Sequence, residues 1–410
     1  MCSSDLVEWT AAVLYGGVLA SSFCWVFARV QLLSAVKRGF LLGLRHKTRA
    51  TSIYKEEARK LLLLNGAVIA LASFIGFSVY QGITAESYIS ADEIYYAYYM
   101  RHISGPFTQK SRAWLEEQGE EFGPMLETQQ HIASGQTSPD TIVAYSSLQQ
   151  KFSVYLKVIQ QNINSYLKEH PGAWLVYESG YKELFGFTGQ ADVQDALLAG
   201  LACAICFSGL FAMERRGGME TILCVTPLGR KRTVRAKLAV SAGVAAAIAV
   251  SSCLPHLIQV LRDYGLPALL APAMSISEFE SLPSFVTLSD VLLFWLFCRV
   301  VACFCMCTIT LTLGRAFGNL LPALFVSAVG YCLPALLSLS GMEGGIEWLG
   351  FWPLFHAAAL LTTQGYGGAD GSPYNYGLAT LFLLIVTLLS TIILAIHLQD
   401  SYEWKGSLSL

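Results

Sequence analysis

Long apolar stretches alternate with polar ones along the whole chain. Residues 9–28, 61–80, 196–213, 238–261, 291–314, 316–342 and 371–399 form apolar runs, the fifth broken by Arg299. A helix needs roughly 20 apolar residues to cross the hydrocarbon core of a bilayer. The pattern therefore predicts an all-α polytopic membrane protein with about seven transmembrane helices. Five regions follow: an N-terminal transmembrane helix in 1–30, a polar-flanked segment 31–60, a span at 61–80, a large polar region 81–190, and a membrane domain 191–410. In the first run Asp5 and Glu8 precede the apolar core and Arg29, Lys37 and Arg38 follow it. A cleaved signal has the opposite polarity, so this run reads as a retained helix with its N-terminus outside.

The polar intervals carry their own periodicity. Leu32, Leu33, Val36, Phe40, Leu41 and Leu44 recur at helical spacing, with Lys37, Arg38, Arg45 and Lys47 between them. An apolar stripe with a basic complement reads as a helix lying in the membrane interface; a basic juxtamembrane loop is the alternative. Within 81–190, Ser138-Pro139-Asp140 marks a helix start, with a capping serine and a proline at the first helical position. From there Ile142, Tyr145, Leu148, Phe152, Tyr155, Ile159, Ile163 and Tyr166 step by threes and fours until Pro171-Gly172. That is a long helix with a packing seam, and the region reads as a mainly helical external domain. Tyr88, Tyr95, Tyr96, Tyr98 and Tyr99 follow a membrane run directly, where an interfacial aromatic belt accounts for them.

Composition agrees: 54% of residues are hydrophobic and only 14% charged, against about 25% charged in a soluble domain. Lysine and arginine in the loops set orientation. The segment 31–60 and the stretch 213–238 are strongly basic, the latter through Arg215, Arg216, Arg230, Lys231, Arg232, Arg235 and Lys237. Both are expected to be cytoplasmic. The region 81–190 and the loops holding Asp263, Glu278, Glu280, Glu343, Glu347 and Asp370 are acidic and expected outside. Alternating the seven runs satisfies all of these at once and leaves the C-terminus inside, as expected for a multi-pass protein of a plasma (bacterial inner) membrane.

Motifs narrow the chemistry. The sequence has no G-x-x-x-x-G-K-[ST] phosphate loop, so ATP hydrolysis would belong to another chain. H-E-x-x-H, G-x-S-x-G and paired C-x-x-C patterns are likewise missing, and nothing suggests a nucleic-acid partner or a metal site. The 11 cysteines lie in or beside apolar runs, none between residues 81 and 190, and Cys303, Cys305 and Cys307 read as small apolar fillers. Glu116, Glu117, Glu120 and Glu121 share one helical face and read as a solvated acidic surface. No catalytic residue is assigned, and a membrane-embedded enzyme lacks a convergent nucleophile or acid/base set.

The informative stretch is MERRGGMETILCVTPLGRKRTVRAKL, residues 213–238. Arg215-Arg216-Gly217-Gly218 ends a membrane helix, because glycines are poor helix formers and free the backbone to turn. Residues 219–225 form a short, mainly apolar segment suited to lie flat, and Thr226-Pro227 stops it. Residues 230–237 lead into the next span. A short helix parallel to the membrane and held between two spans is a lever; a basic loop on anionic headgroups is the alternative.

The stretch resembles the first cytoplasmic loop of ABC transporter permeases of the type-two export class. Glu214, Gly218, Glu220, Ile222-Leu223, Thr226-Pro227, Arg230 and Ala236-Lys237-Leu238 carry the resemblance, with Met219 where the family has threonine. The order of an interfacial helix, a span, a large external domain and five further spans is similar to that of sodium-export-type permeases. Residues 351–356, FWPLFH, resemble a re-entrant element placed near 349–363 before the last span. The resemblance implies a six-span core plus one extra N-terminal span, and a permease subunit of an ATP-driven exporter. It implies an ABC ATPase partner that binds ATP and Mg, and a second copy of this chain or a paralogous permease in the bilayer. Glu214, Gly218, Glu220, Thr226, Pro227, Arg230 and Lys237 would couple the ATPase, through the segment 214–237, to the spans. A rival within the same partnership is mechanotransmission, in which ATP hydrolysis moves the external domain without passing substrate through the spans.

Three ionisable groups fall within or beside apolar runs. Arg299 near mid-membrane marks a bundle-facing or water-lined position. It reads as a substrate or lipid-headgroup contact, as a structural partner for a helix-end carbonyl, or as an arginine snorkelling toward Asp290. His256 after Pro255 reads first as a structural histidine, and His356 lies in the re-entrant element. These three are the candidate pathway residues.

Overall fold

A computed structural model describes residues 52–85, 89–123, 139–187, 191–216, 218, 230–280, 282–339, 351–358, 361 and 376–407. Among the described residues the chain is helical and has no strand. The membrane helices are α2 (Ala67–Thr84), α7 (Ala191–Phe207) continued by α8 (Gly209–Arg216), α9 (Arg230–Asp263), α10 (Leu288–Phe317), α11 (Leu320–Leu339) and α13 (Tyr376–Ser407). They supply six segments long and apolar enough to cross a bilayer. The run at 9–28 and the interfacial stripe at 32–44 lie outside the described residues. Shorter helices are α1 (Ile53–Arg59), α3 (Ala91–His102), α4 (Gln109–Glu120), α5 (Pro139–Lys157), α6 (Ser179–Leu184) and α12 (Trp352–Phe355).

The spans form because lipid offers the backbone no partners, so every peptide group must bond within its own segment. Where a helix ends or breaks, a side chain takes over. Thr287 and Asp290 form a capping box at the start of α10, and Gly318, left-handed at φ 62°, ends it. Between α7 and α8 the helix is interrupted at Ser208, and buried Asn65 donates from Nδ2 to the Cys206 carbonyl at 2.7 Å. Gly209 permits that approach, since a Cβ there would collide with the Asn65 side chain. At the end of α2, Arg262 of α9 donates to the carbonyls of Ile83 (2.6 Å) and Ala85 (2.5 Å), filling acceptors the helix terminus leaves open.

At the centre stand α9 and α10, packed against each other and both against α7 and α13. Phe74, Phe207, Ile248, Met306, Leu311 and Phe355 belong to the core they share. Cys203, Cys206, Cys303 and Cys307 are buried there as free thiols, and Cys305 is buried against Ser390. Apolar side chains also face outward, among them Leu321, Phe325 and Leu333 on α11 and Phe382, Leu389 and Ile393 on α13. Such an outward apolar surface suits lipid.

A helical domain lies between α2 and α7. Its α5 runs on through a π-helical segment, Val158–Tyr166, so the seam read from Ile142 to Tyr166 is one continuous rod. Tyr96, Tyr99, Met100, Leu115, Phe122, Tyr155, Val158 and Tyr177 make its core. The tyrosine cluster is thus not simply a membrane belt: Tyr96 and Tyr99 are buried, while Tyr98 is 41% exposed. Buried tyrosines usually keep the polar tip satisfied, although the Tyr99 hydroxyl has no hydrogen-bond partner among the described residues. Tyr155 donates to the Leu115 carbonyl at 2.8 Å and Tyr177 to Glu93 Oε1 at 2.6 Å. The acidic face of α4 is exposed as expected, with Glu121 reaching Lys151 at 2.6 Å.

This domain is joined to the adjoining ends of the spans by several bonds. Arg101 donates to the Tyr264 carbonyl at 2.6 Å, Tyr181 to that of Pro267 at 2.7 Å, and Tyr166 to that of Met274 at 2.5 Å. Gly180 rests on the Gly265 carbonyl so closely that a Cβ would lie 2.6 Å from it.

Candidate functional site

Among the described residues, two buried charge clusters occupy opposite ends of the bundle. One lies at the end remote from the helical domain, where the basic stretch leaves α8 and returns into α9. Glu214 in the last turn of α8 and Lys237 in the second turn of α9 are both buried and joined as an ion pair. The Lys237 ammonium also sits 4.5 Å from the Phe211 ring centroid. Lys60, in the π-helical turn Lys60–Leu64 that follows α1, pairs with Glu214 at 3.3 Å and with buried Glu57 at 2.7 Å. Burial opposes the charge on Lys60, but the two carboxylates outweigh it and hold its ammonium above the ordinary lysine value.

Four alternating charges therefore fasten α1, α8 and α9 together. Buried charges are tolerated when paired and hydrogen-bonded, and the two lysines balance the two glutamates. Just beyond, Gly218 is exposed and left-handed at φ 66°, a turn that favours glycine. Arg230 opens α9. Glu220, Thr226 and Pro227 lie outside the described residues.

The second cluster lies nearer the helical domain and centres on Arg299, twelve residues into α10 and fully buried. Its Nη2 pairs with Asp192 Oδ1, and its Nη1 donates to Asp195 Oδ2 at 2.8 Å and to the Ser252 carbonyl at 3.3 Å. Nε reaches the Phe355 carbonyl at 3.3 Å. The guanidinium carbon lies 4.0 Å from the Trp295 ring centroid and 5.2 Å from that of Phe355. Arginine suits this position because its planar fork meets two carboxylates while its face stacks on aromatic rings.

Both histidines singled out in the sequence are in the same cluster. His356 Nδ1 is 2.6 Å from Asp192 Oδ2, and His256 Nε2 is 3.4 Å from Asp195 Oδ2. The cluster thereby joins α7, α9, α10 and α12. Snorkelling of Arg299 toward Asp290 does not occur, since Asp290 is committed to the Thr287 cap. Every guanidinium nitrogen has an internal partner, so an anionic substrate would have to displace one.

Sequence reading missed Asp192 and Asp195, and with them the anchor of the cluster. They are three residues apart at the start of α7, hence on one helical face, where the partial positive charge of a helix N-terminus favours carboxylates. That spacing beside an intramembrane arginine was the available signal. Glu57 and Lys60 were likewise hidden in a generally basic segment. Among the described residues no three His, Cys, Asp or Glu side chains are placed to hold a metal ion. No family model, curated protein or solved structure matches this chain.

Proposed function

We propose that this chain is the membrane-spanning permease subunit of an ATP-driven exporter of the type-two ABC class. A separate ATPase, carrying ATP and Mg, docks on the segment 214–237, and a second permease copy or a paralogue completes the pathway in the plasma membrane. The chain itself is no enzyme; its work is mechanical. One observation carries the reading: the buried Glu214–Lys237 ion pair, bridged by Lys60 to Glu57. It ties both ends of the basic insert to each other and to the helix before the first span. Force applied to the insert therefore reaches α8, α9 and α1 together instead of being lost in a loose loop.

Coupling of this kind needs a stiff contact, which Thr226-Pro227 and the mainly apolar segment 219–225 are suited to supply. Pro227→Gly, or deletion of 219–225, is expected to leave the bundle folded while ATP hydrolysis proceeds without transport. Normal transport by both variants would refute the lever.

Mechanotransmission is the second reading. The joint between the helical domain and the spans favours it, because Arg101, Tyr166 and Tyr181 all bond backbone carbonyls in 264–274, the loop at the end of α9. Tilting α9 would move the domain. Crosslinks that close the path between two permease copies separate the readings: export stops under the first, whereas an ATP-dependent envelope phenotype survives under the second.

A further inference from the structure

The charge cluster around Arg299 is not electrically balanced by its permanent charges. One guanidinium faces two carboxylates, Asp192 and Asp195, and all three groups are buried. The N-terminus of α7 contributes about half a positive charge, and that leaves an excess of negative charge inside the bundle. An isolated buried charge is costly unless it is paired.

The surroundings of His256 offer no other permanent cation among the described residues. On α9 itself its neighbours are Ser252 and Cys253, which lie against Arg299. From α7 come Asp195 and Asp192, from α10 Arg299, and from α12 His356. On α6, Lys182 is held by Glu178 and Glu278, both at 3.0 Å, and Tyr181 by the Pro267 carbonyl. From α2, Gly82 approaches Pro255 and Ile258. Toward α13, α9 presents Arg235, paired with Gln399, many turns away. Lys237 and Lys60 belong to the balanced cluster at the far end.

The two aspartates are not equally served. Asp192 has a close contact on each oxygen, from Arg299 to Oδ1 and from His356 to Oδ2. A neutral imidazole protonated at Nδ1 donates that second bond without carrying charge. Asp195 receives Arg299 Nη1 and the more distant His256 Nε2 on the same oxygen, Oδ2. The His256 side chain is 14% exposed against 6% for His356, so it is the more accessible of the two from outside the bundle.

We propose that this cluster is a proton-binding site: it takes up a single proton, held on His256 and donated through Nε2–H to Asp195. The proton adds one positive charge and offsets the unpaired carboxylate. No bond between heavy atoms forms or breaks, and the proton comes from and returns to water. An imidazole holds it in preference to either carboxylate, because its ordinary basicity is higher by about two to three pH units. The site is separate from the ATPase-coupling segment, and the proposal does not depend on the export reading.

The test uses the full chain, labelled with 15N-histidine, in lipid nanodiscs at about pH 8, where solvated imidazoles have lost their charge. The nitrogen spectrum is expected to show, among the seven histidines, a His256 imidazolium with both nitrogens protonated. His256→Gln is expected to remove that signal, and Asp195→Asn to abolish the charged form while His256 remains visible as a neutral ring. Wild-type protein with no imidazolium at this pH overturns the proposal even if a variant fails to fold. It is also overturned if the signal survives in His256→Gln, if Asp195→Asn leaves it unchanged, or if sodium or potassium chloride displaces the proton at constant pH, which would mark a metal-cation site instead.

Discussion

The guanidinium of Arg299 on α10 and the carboxylate of Asp192 on α7 form an ion pair with both side chains almost wholly out of solvent. Removing one partner of such a pair leaves an uncompensated buried charge, which costs about 3–5 kcal/mol. Arg299→Ala is therefore expected to lower stability by that amount, and Arg299→Lys to recover only part of it, because an ammonium lacks the fork that meets two aspartates and the plane that stacks on Trp295. Unfolding of the purified chain in a fixed lipid or detergent system measures both. A loss below about 1 kcal/mol for the alanine variant would show that the pair is solvated.

The Glu214–Lys237 pair invites a double-mutant cycle. Lys237→Met strands Glu214 with Lys60 as its remaining cation, whereas Glu214→Gln with Lys237→Met removes both charges from the buried contact. The double variant is expected to be more stable than Lys237→Met alone, with a coupling energy of about 0.5–3 kcal/mol. Strict additivity would mean that the two side chains do not sense each other and would undermine the insert's mechanical link.

Gly186 gives an uncharged way into the Arg299 cluster. It is left-handed at φ 73°, and a Cβ there would collide with the Asp192 carboxylate and stand 3.4 Å from His356 Nδ1. Gly186→Ala is expected to cost about 1–2 kcal/mol for the backbone alone. It should also shift the His356 imidazole resonances, a change absent from Gly76→Ala, where a Cβ meets nothing within 4 Å.

The helical domain is expected to fail in alkali and not near neutrality. Burial, reinforced by neighbouring carboxylates, pushes the Tyr99 and Tyr166 hydroxyls above their ordinary value, and burial alone does so for Tyr181. Lys182 is raised because Glu178 and Glu278 outweigh its burial. A group whose folded value is raised contributes stability that is complete below its unfolded value and lost as pH climbs through the folded one. The window therefore opens above about pH 10, the unfolded value of tyrosine and lysine. Tyrosinate absorbance and helical circular dichroism, followed together, are expected to show a late group of tyrosines ionising only as helix is lost. Ionisation of all tyrosines in one early step, with the helices intact, would contradict the packing.

Six of the seven runs read as spans, and the long seam, were legible in the sequence because they depend on length and period. Ile142 to Tyr166 repeats every three or four residues, and α5 with its π-helical continuation follows that repeat. The site was legible only in part. Arg299, His256 and His356 stand out because ionisable groups are rare in apolar runs, but their convergence depends on how α7, α9, α10 and α12 pack. Asp192 and Asp195 look like ordinary polar residues at the edge of a run until Arg299 is brought against them. Tyr96 and Tyr99 show the same limit: a tyrosine near a membrane run suits an interfacial belt and a domain core equally well, and only the seam of α5 against α3 decides between them.

In the proposed mechanism a separate ATPase drives this chain through the segment between α8 and α9. A photo-crosslinking residue at position 223, introduced into the full chain and activated in native membranes, tests it most directly when the crosslinked product is identified by mass spectrometry. The expected product is a chain that carries a phosphate loop and hydrolyses Mg-ATP, with capture abolished by deleting the rest of 219–225. Recovery of the chain without such an ATPase, or with one crosslinked only from positions in the helical domain, would contradict it.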